Sequence, residues 1–90
     1  MKKYVIEREI PKIGSLEGEQ LREGAAKFNQ VLRELGSDIQ WLESYVGPDK
    51  MFCVYLAGNK EIIQRHAEES GFPATQITEV GKTIDPTTGQ

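Results

Sequence analysis

Two runs of aromatic and branched residues, Ile39-Gln40-Trp41-Leu42-Glu43-Ser44-Tyr45-Val46 and Met51-Phe52-Cys53-Val54-Tyr55-Leu56, flank the turn formers Gly47-Pro48-Asp49-Lys50. Two such runs across a short polar turn predict a β-hairpin. The hairpin lies in the middle of the chain, so the segments before and after it must cover its apolar side chains. Its register stays open. A two- or four-residue loop pairs Tyr45 with Phe52, whereas a three- or five-residue loop pairs Tyr45 with Cys53 and exchanges the faces.

Before the hairpin, Tyr4-Val5-Ile6-Glu7-Arg8-Glu9-Ile10 alternates as a strand does, with Tyr4, Ile6 and Ile10 on one side and Val5, Glu7 and Glu9 on the other. Pro11 ends it, and Pro11-Lys12-Ile13-Gly14 is a turn. Ser15 is placed to cap a helix whose first turn carries Glu17 and Glu19, favourable at the positive end of the dipole. Leu21, Ala25, Phe28, Leu32 and Leu35 then recur at helical steps, and Gly36 is the stop. After the hairpin, Asn59 can cap a second helix that puts Ile62, Ile63, His66 and Ala67 on one face, closed by Gly71 and Pro73. Gln76 to Ile84 reads as a last strand, so residues 1–84 make one domain and 85–90 a C-terminal tail.

Strand, helix, hairpin, helix, strand is the order of the split βαβ, ferredoxin-like plan. Right-handed crossovers then put both helices on one face of a four-stranded antiparallel sheet, giving an α+β fold. The other sheet face is left bare, and a chain of ninety residues buries only about 60 to 65% of its unfolded surface. Strands so rich in Trp, Tyr, Phe and Val predict that a second copy covers that face, as a dimeric α/β barrel.

Cys53 is the lone cysteine, which excludes an internal disulfide. With no apolar leader after Met1-Lys2-Lys3, a reducing, cytoplasmic setting is the expectation. No apolar run nears the ~18 residues of a membrane span. Net charge is -3 and the basic residues are scattered, which argues against nucleic acid as a partner.

Several side chains stand out as chemically able. Glu7 and Glu9, two apart on a strand, project to the same face about 7 Å from one another; they either face water near the strand end or, where a second copy covers that face, are desolvated and call for a cation, an arginine or a proton. Trp41, Glu43 and Tyr45 alternate onto one face of the next strand. His66, the only histidine, points from its helix toward the sheet, where it is either a core residue with one hydrogen bond or a proton acceptor or metal ligand. Cys53 is a small buried hydrophobe or a ligand. There is no Cys-x-x-Cys, His-Glu-x-x-His, phosphate-binding glycine loop or nucleophile elbow, which disfavours the enzymes built on them.

Three stretches carry a resemblance: Tyr4 to Pro11; Ile39 to Val46, continuing to Asp49-Lys50 and Cys53-Val54-Tyr55; and His66-Ala67 through Ser70-Gly71-Phe72-Pro73. They resemble a bacterial family of small proteins labelled nickel-responsive or nickel-binding, with a ferredoxin-like fold and a dimeric α/β barrel. The resemblance implies divalent-metal binding, with Glu7, Glu9, Glu43, Cys53 and His66 as the candidate ligands. A mixed carboxylate and imidazole site suits nickel, zinc or copper. The function expected is a dimeric ligand-binding module for a divalent metal, nickel or zinc, or for a small polar ligand, with Trp41, Tyr45 and Tyr55 beside it. The alternative is a small enzyme of the monooxygenase-like or isomerase-like kind with a pocket near His66, on fold analogy alone.

Overall fold

The computed structural model describes all 90 residues. The strands are β1 (Lys2–Glu9), β2 (Ile39–Val46), β3 (Lys50–Ala57) and β4 (Gln76–Glu79), and the helices α1 (Glu19–Leu35) and α2 (Lys60–Ser70). They form a four-stranded sheet of order β2-β3-β1-β4, every neighbouring pair antiparallel. The fold is therefore α+β and ferredoxin-like, as the element order predicts. No helix is long and apolar enough to cross a membrane.

β3 shows why the sheet has two unlike faces. Met51, Cys53, Tyr55 and Ala57 are buried while Lys50, Phe52, Val54 and Leu56 are only half-buried, the period of two that a strand covered on one side must show. Met51, Cys53, Tyr55 and Ala57 join Tyr4, Ile6, Phe28, Ile39 and Ile63 in a core between sheet and helices. The hairpin register is the even one, with Tyr45 opposite Phe52 and Ser44 opposite Cys53. Gly47 donates its backbone N–H to the Lys50 carbonyl at 2.8 Å, which leaves Pro48 and Asp49 at the tip.

Three local expectations are corrected. Ser15 caps no helix: its hydroxyl donates back to the Lys12 carbonyl at 2.7 Å inside a 3-10 turn, Ile13–Ser15, and α1 starts four residues later behind Gly18. Trp41 does not share a face with Glu43 and Tyr45. The ladder slips by one residue between Trp41 and Glu43, so Trp41 lies opposite Tyr55 on the covered side, and Glu43 and Tyr45 lie opposite Val54 and Phe52 on the open one. A β-bulge adds one residue and thereby reverses the alternation beyond it. The last strand stops at Glu79 rather than running to Ile84, because β1 begins at Lys2 and the ladder runs out of partner after Val80 N–H meets the Lys3 carbonyl. Within residues 85–90, Asp85 caps an exposed 3-10 turn over Pro86–Gly89 by accepting from the Thr87 N–H at 2.9 Å.

The predicted ends of α2 hold. The Asn59 side chain accepts from the Ile62 N–H at 3.0 Å, and Gly71 closes the helix at φ 79°, a left-handed conformation that favours glycine.

Candidate functional site

β1 puts three inward side chains in a row, Tyr4, Ile6 and Arg8, and all three are buried. Arg8 is fully enclosed, yet no carboxylate reaches it. Its Nε donates to Cys53 Sγ at 3.3 Å and its Nη2 to the Tyr55 hydroxyl at 3.1 Å. Its Nη1 donates to the carbonyls of Phe72 and Pro73 at 3.0 and 3.1 Å. Its guanidinium carbon lies 5.3 Å from the centre of the Phe28 ring, within cation–π range. The α2–β4 connection and β3 are thus tied to β1 through one cation, neutralised by dipoles and a ring face instead of a counter-ion.

His66, from α2, stands over this group. Its ring meets Tyr55 edge-on at 5.4 Å and Phe28 at 5.0 Å. Nε2 lies 3.4 Å from the Phe28 carbonyl, and Nδ1 has no partner. Burial lowers its pKa to about 4, with the Arg8 charge adding to the effect and the Phe28 carbonyl opposing it. The ring is neutral near pH 7. Burial also pushes the Tyr55 phenol up, against the pull of Arg8, so it stays protonated.

Glu7, Glu9 and Glu43 occupy the opposite, open face. Lys50 sits between the first two, its Nζ 3.7 Å from Glu7 and 3.9 Å from Glu9. Tyr45 donates its hydroxyl to the Glu43 carboxylate, which raises the phenol's pKa. The sheet therefore divides the predicted ligands: three carboxylates outside, Cys53 and His66 inside. No three of the protein's His, Cys, Asp or Glu side chains gather closely enough to hold a metal ion. Tyr45 is likewise separated from Trp41 and Tyr55.

A cleft of about 220 Å³ opens between α1 and the β2–β3 half of the sheet. Gly24, Ala25 and Phe28 of α1, Trp41, Ser44 and Val46 of β2, Met51 of β3, and Phe72 line it together with Ile13, Leu16, Gln20 and Leu21. Phe28 meets Trp41 and Phe72 edge-on, at 5.1 and 4.7 Å between ring centres. Trp41 Nε1 donates to Ser44 Oγ at 2.9 Å. Neither His66 nor Tyr45 lines the cleft. Sequence reasoning missed two features. Arg8 was detectable by parity, since it shares the side of Tyr4 and Ile6. The cleft depends on the bulge and on where α1 crosses the sheet, which no local pattern reports.

Sheet, helices and cleft define an α+β protein of the ferredoxin-like kind with a half-enclosed apolar recess. The chain belongs to the family described as nickel responsive protein SCO4226-like, which it matches over residues 4–80. It is also similar to the crystal structure of SCO4226 from Streptomyces coelicolor A3(2), with a TM-score of 0.76 at 16% sequence identity. That match covers 91% of this chain and 99% of the other. No curated protein sequence matches it significantly.

The family name raises nickel, and the donors of one protomer do not fit it. The inward pair is dominated by a cation, because Cys53 Sγ is engaged by Arg8 and His66 stands within its field. A divalent ion placed there would add positive charge beside a buried cation that has no carboxylate counter-ion. The outward carboxylates of Glu7 and Glu9 already share Lys50.

Proposed function

We propose that the protein is a homodimeric ligand-binding module. Two copies pair through the open faces of their sheets, and each protomer holds one small molecule in the cleft between α1 and the sheet. The observation that carries this is the cleft itself. Recesses that are concave, mostly apolar and supplied with a few placed polar groups are where proteins bind small molecules. A ligand bound only by the folded state raises stability by about 2.7 kcal/mol at a hundred times its dissociation constant. A thermal-shift screen of small molecules of both charges and none should therefore find stabilisers. Their effect should vanish in Gly24→Leu, which fills the cleft. A screen without any stabiliser contradicts this function.

A second reading places a divalent metal at the dimer interface. It is favoured by the position of Glu7, Glu9 and Glu43 on the face that pairing would bury, where carboxylates of two copies would meet. Desolvated carboxylates want a cation. Calorimetry of metal-free protein with nickel and zinc tests it. Glu7→Gln with Glu9→Gln should abolish the heat while the dimer persists, and absence of heat at sub-millimolar metal ends this reading.

A further inference from the structure

The cleft's lining specifies what it can take. None of its twelve residues is charged, although 28% of the chain is Asp, Glu, Lys or Arg. An ion entering it would shed water for apolar walls with no counter-charge. An apolar cavity of about 150 Å³ holds one benzene. The 220 Å³ here suits a two-ring molecule. Aromatic quadrupoles also favour a flat guest, offset or edge-on to Phe28, Trp41 and Phe72.

Gly24 adds an independent observation. It lies well inside α1, where glycine is less favourable than alanine because it gives up more backbone freedom. Packing within the protomer does not demand it, because an added Cβ would meet only Phe72 Cζ at 3.5 Å, an ordinary contact. The missing side chain is room in the cleft wall. The only side-chain hydrogen bond between two lining residues is Trp41 Nε1–H to Ser44 Oγ. Ser44 accepts there, which leaves its own hydroxyl proton to donate.

We infer that the cleft binds one uncharged, flat, mostly apolar molecule of about ten heavy atoms with a hydrogen-bond acceptor that meets the Ser44 hydroxyl. This rests on the ligand-binding function proposed above and names its ligand class. Trp41 is the sole tryptophan, so its indole N–H gives one NMR signal at the cleft. The test follows that signal in the intact protein during titration with quinoline, which is neutral at pH 7.5. N-methylquinolinium has nearly the same shape and a fixed positive charge, and 2-naphthoate carries a negative one.

Quinoline should shift the signal saturably, and both ions should bind at least about tenfold more weakly, the penalty for desolvating a charge. Gly24→Leu should weaken quinoline at least about tenfold and Gly24→Ala should weaken it less, in step with the room each side chain takes from the cleft wall. Ions binding as well as quinoline, or undiminished binding to Gly24→Leu, overturns the ligand class and leaves a ligand-binding module standing. Probes of every charge leaving the signal unmoved sinks both. A signal that still moves with protein concentration alone in Val54→Glu, which cannot pair through the open sheet face, shows the cleft filled by a second copy and overturns the inference.

Discussion

At the scale of single residues, His66 and Arg8 carry polar chemistry into a core too small to dilute it. His66 has a native pKa of about 4 against an ordinary 6.5, so the folded state favours the neutral ring and the unfolded chain takes up a proton first. The stability this gives is complete above about pH 6.5 and drains away as pH falls toward 4. Its ceiling is about 3 kcal/mol, reduced by solvent screening at the edge of a thin core. His66→Phe keeps the edge contacts to Phe28 and Tyr55 and removes the proton. Its urea midpoint relative to the native protein should therefore rise steadily from pH 7 to pH 4, a comparison in which carboxylate titrations cancel. Arg8→Lys should be worse than its preserved charge suggests. A single ammonium cannot reach Cys53, Tyr55, Phe72 and Pro73 together, and acceptors left buried without donors cost about 1–3 kcal/mol each. Denaturant unfolding should show a loss of at least about 3 kcal/mol.

At the scale of elements, one close approach locks the 3-10 turn Ile13–Ser15 to the β2–β3 hairpin. Gly14 donates its N–H to the Pro48 carbonyl at 3.0 Å, and a Cβ there would stand 2.6 Å from the Gly47 oxygen and 2.8 Å from Pro48 Cα. Both are backbone atoms that cannot swing aside. Gly14→Ala should therefore cost about 2 kcal/mol by the overpacking it forces, measurable as a lower urea midpoint with an unchanged slope. The hairpin itself, both helices and their closing glycines were legible from the residues, because apolar period and turn chemistry are local signals. The reversal of Trp41 was not. Leu42 and Glu43 suit an extra bulge residue and a regular ladder equally well, and only the packing of Trp41 on Phe28 decides between them. Arg8 was legible in part: strand parity put it opposite Glu7 and Glu9, but nothing local announces that four acceptors from distant segments converge on it. The expected ligand set spread over both faces for the same reason, since sequence spacing does not say which side of a sheet a helix covers.

At the scale of the whole molecule, the open sheet face is the unfinished part of the fold. Phe52, Val54 and Leu56 line it along a central strand and are only half-buried, with Val5 beside them on β1. Leu42 and Tyr45 of β2 are exposed at 46% and 57%. A contiguous apolar strip of this kind sits poorly in water, and a second copy offers the same strip back across a two-fold axis. The strip and the charged end held by Glu7, Glu9 and Lys50 make opposite demands on salt. Pairing driven by the strip should persist at high ionic strength, while pairing through the ions should weaken as the screening length shrinks to about 3 Å at 1 M salt. Val54 separates the two, being apolar and central on β3, with its side chain off the covered core. Val54→Glu should sediment as a single protomer with unchanged helical circular dichroism. The native protein and Val54→Ile should sediment at twice that mass in both dilute and 1 M salt. A native protein that sediments as a single protomer at tens of micromolar would mean that water tolerates this face, and the carboxylates on it would then have no second set to meet.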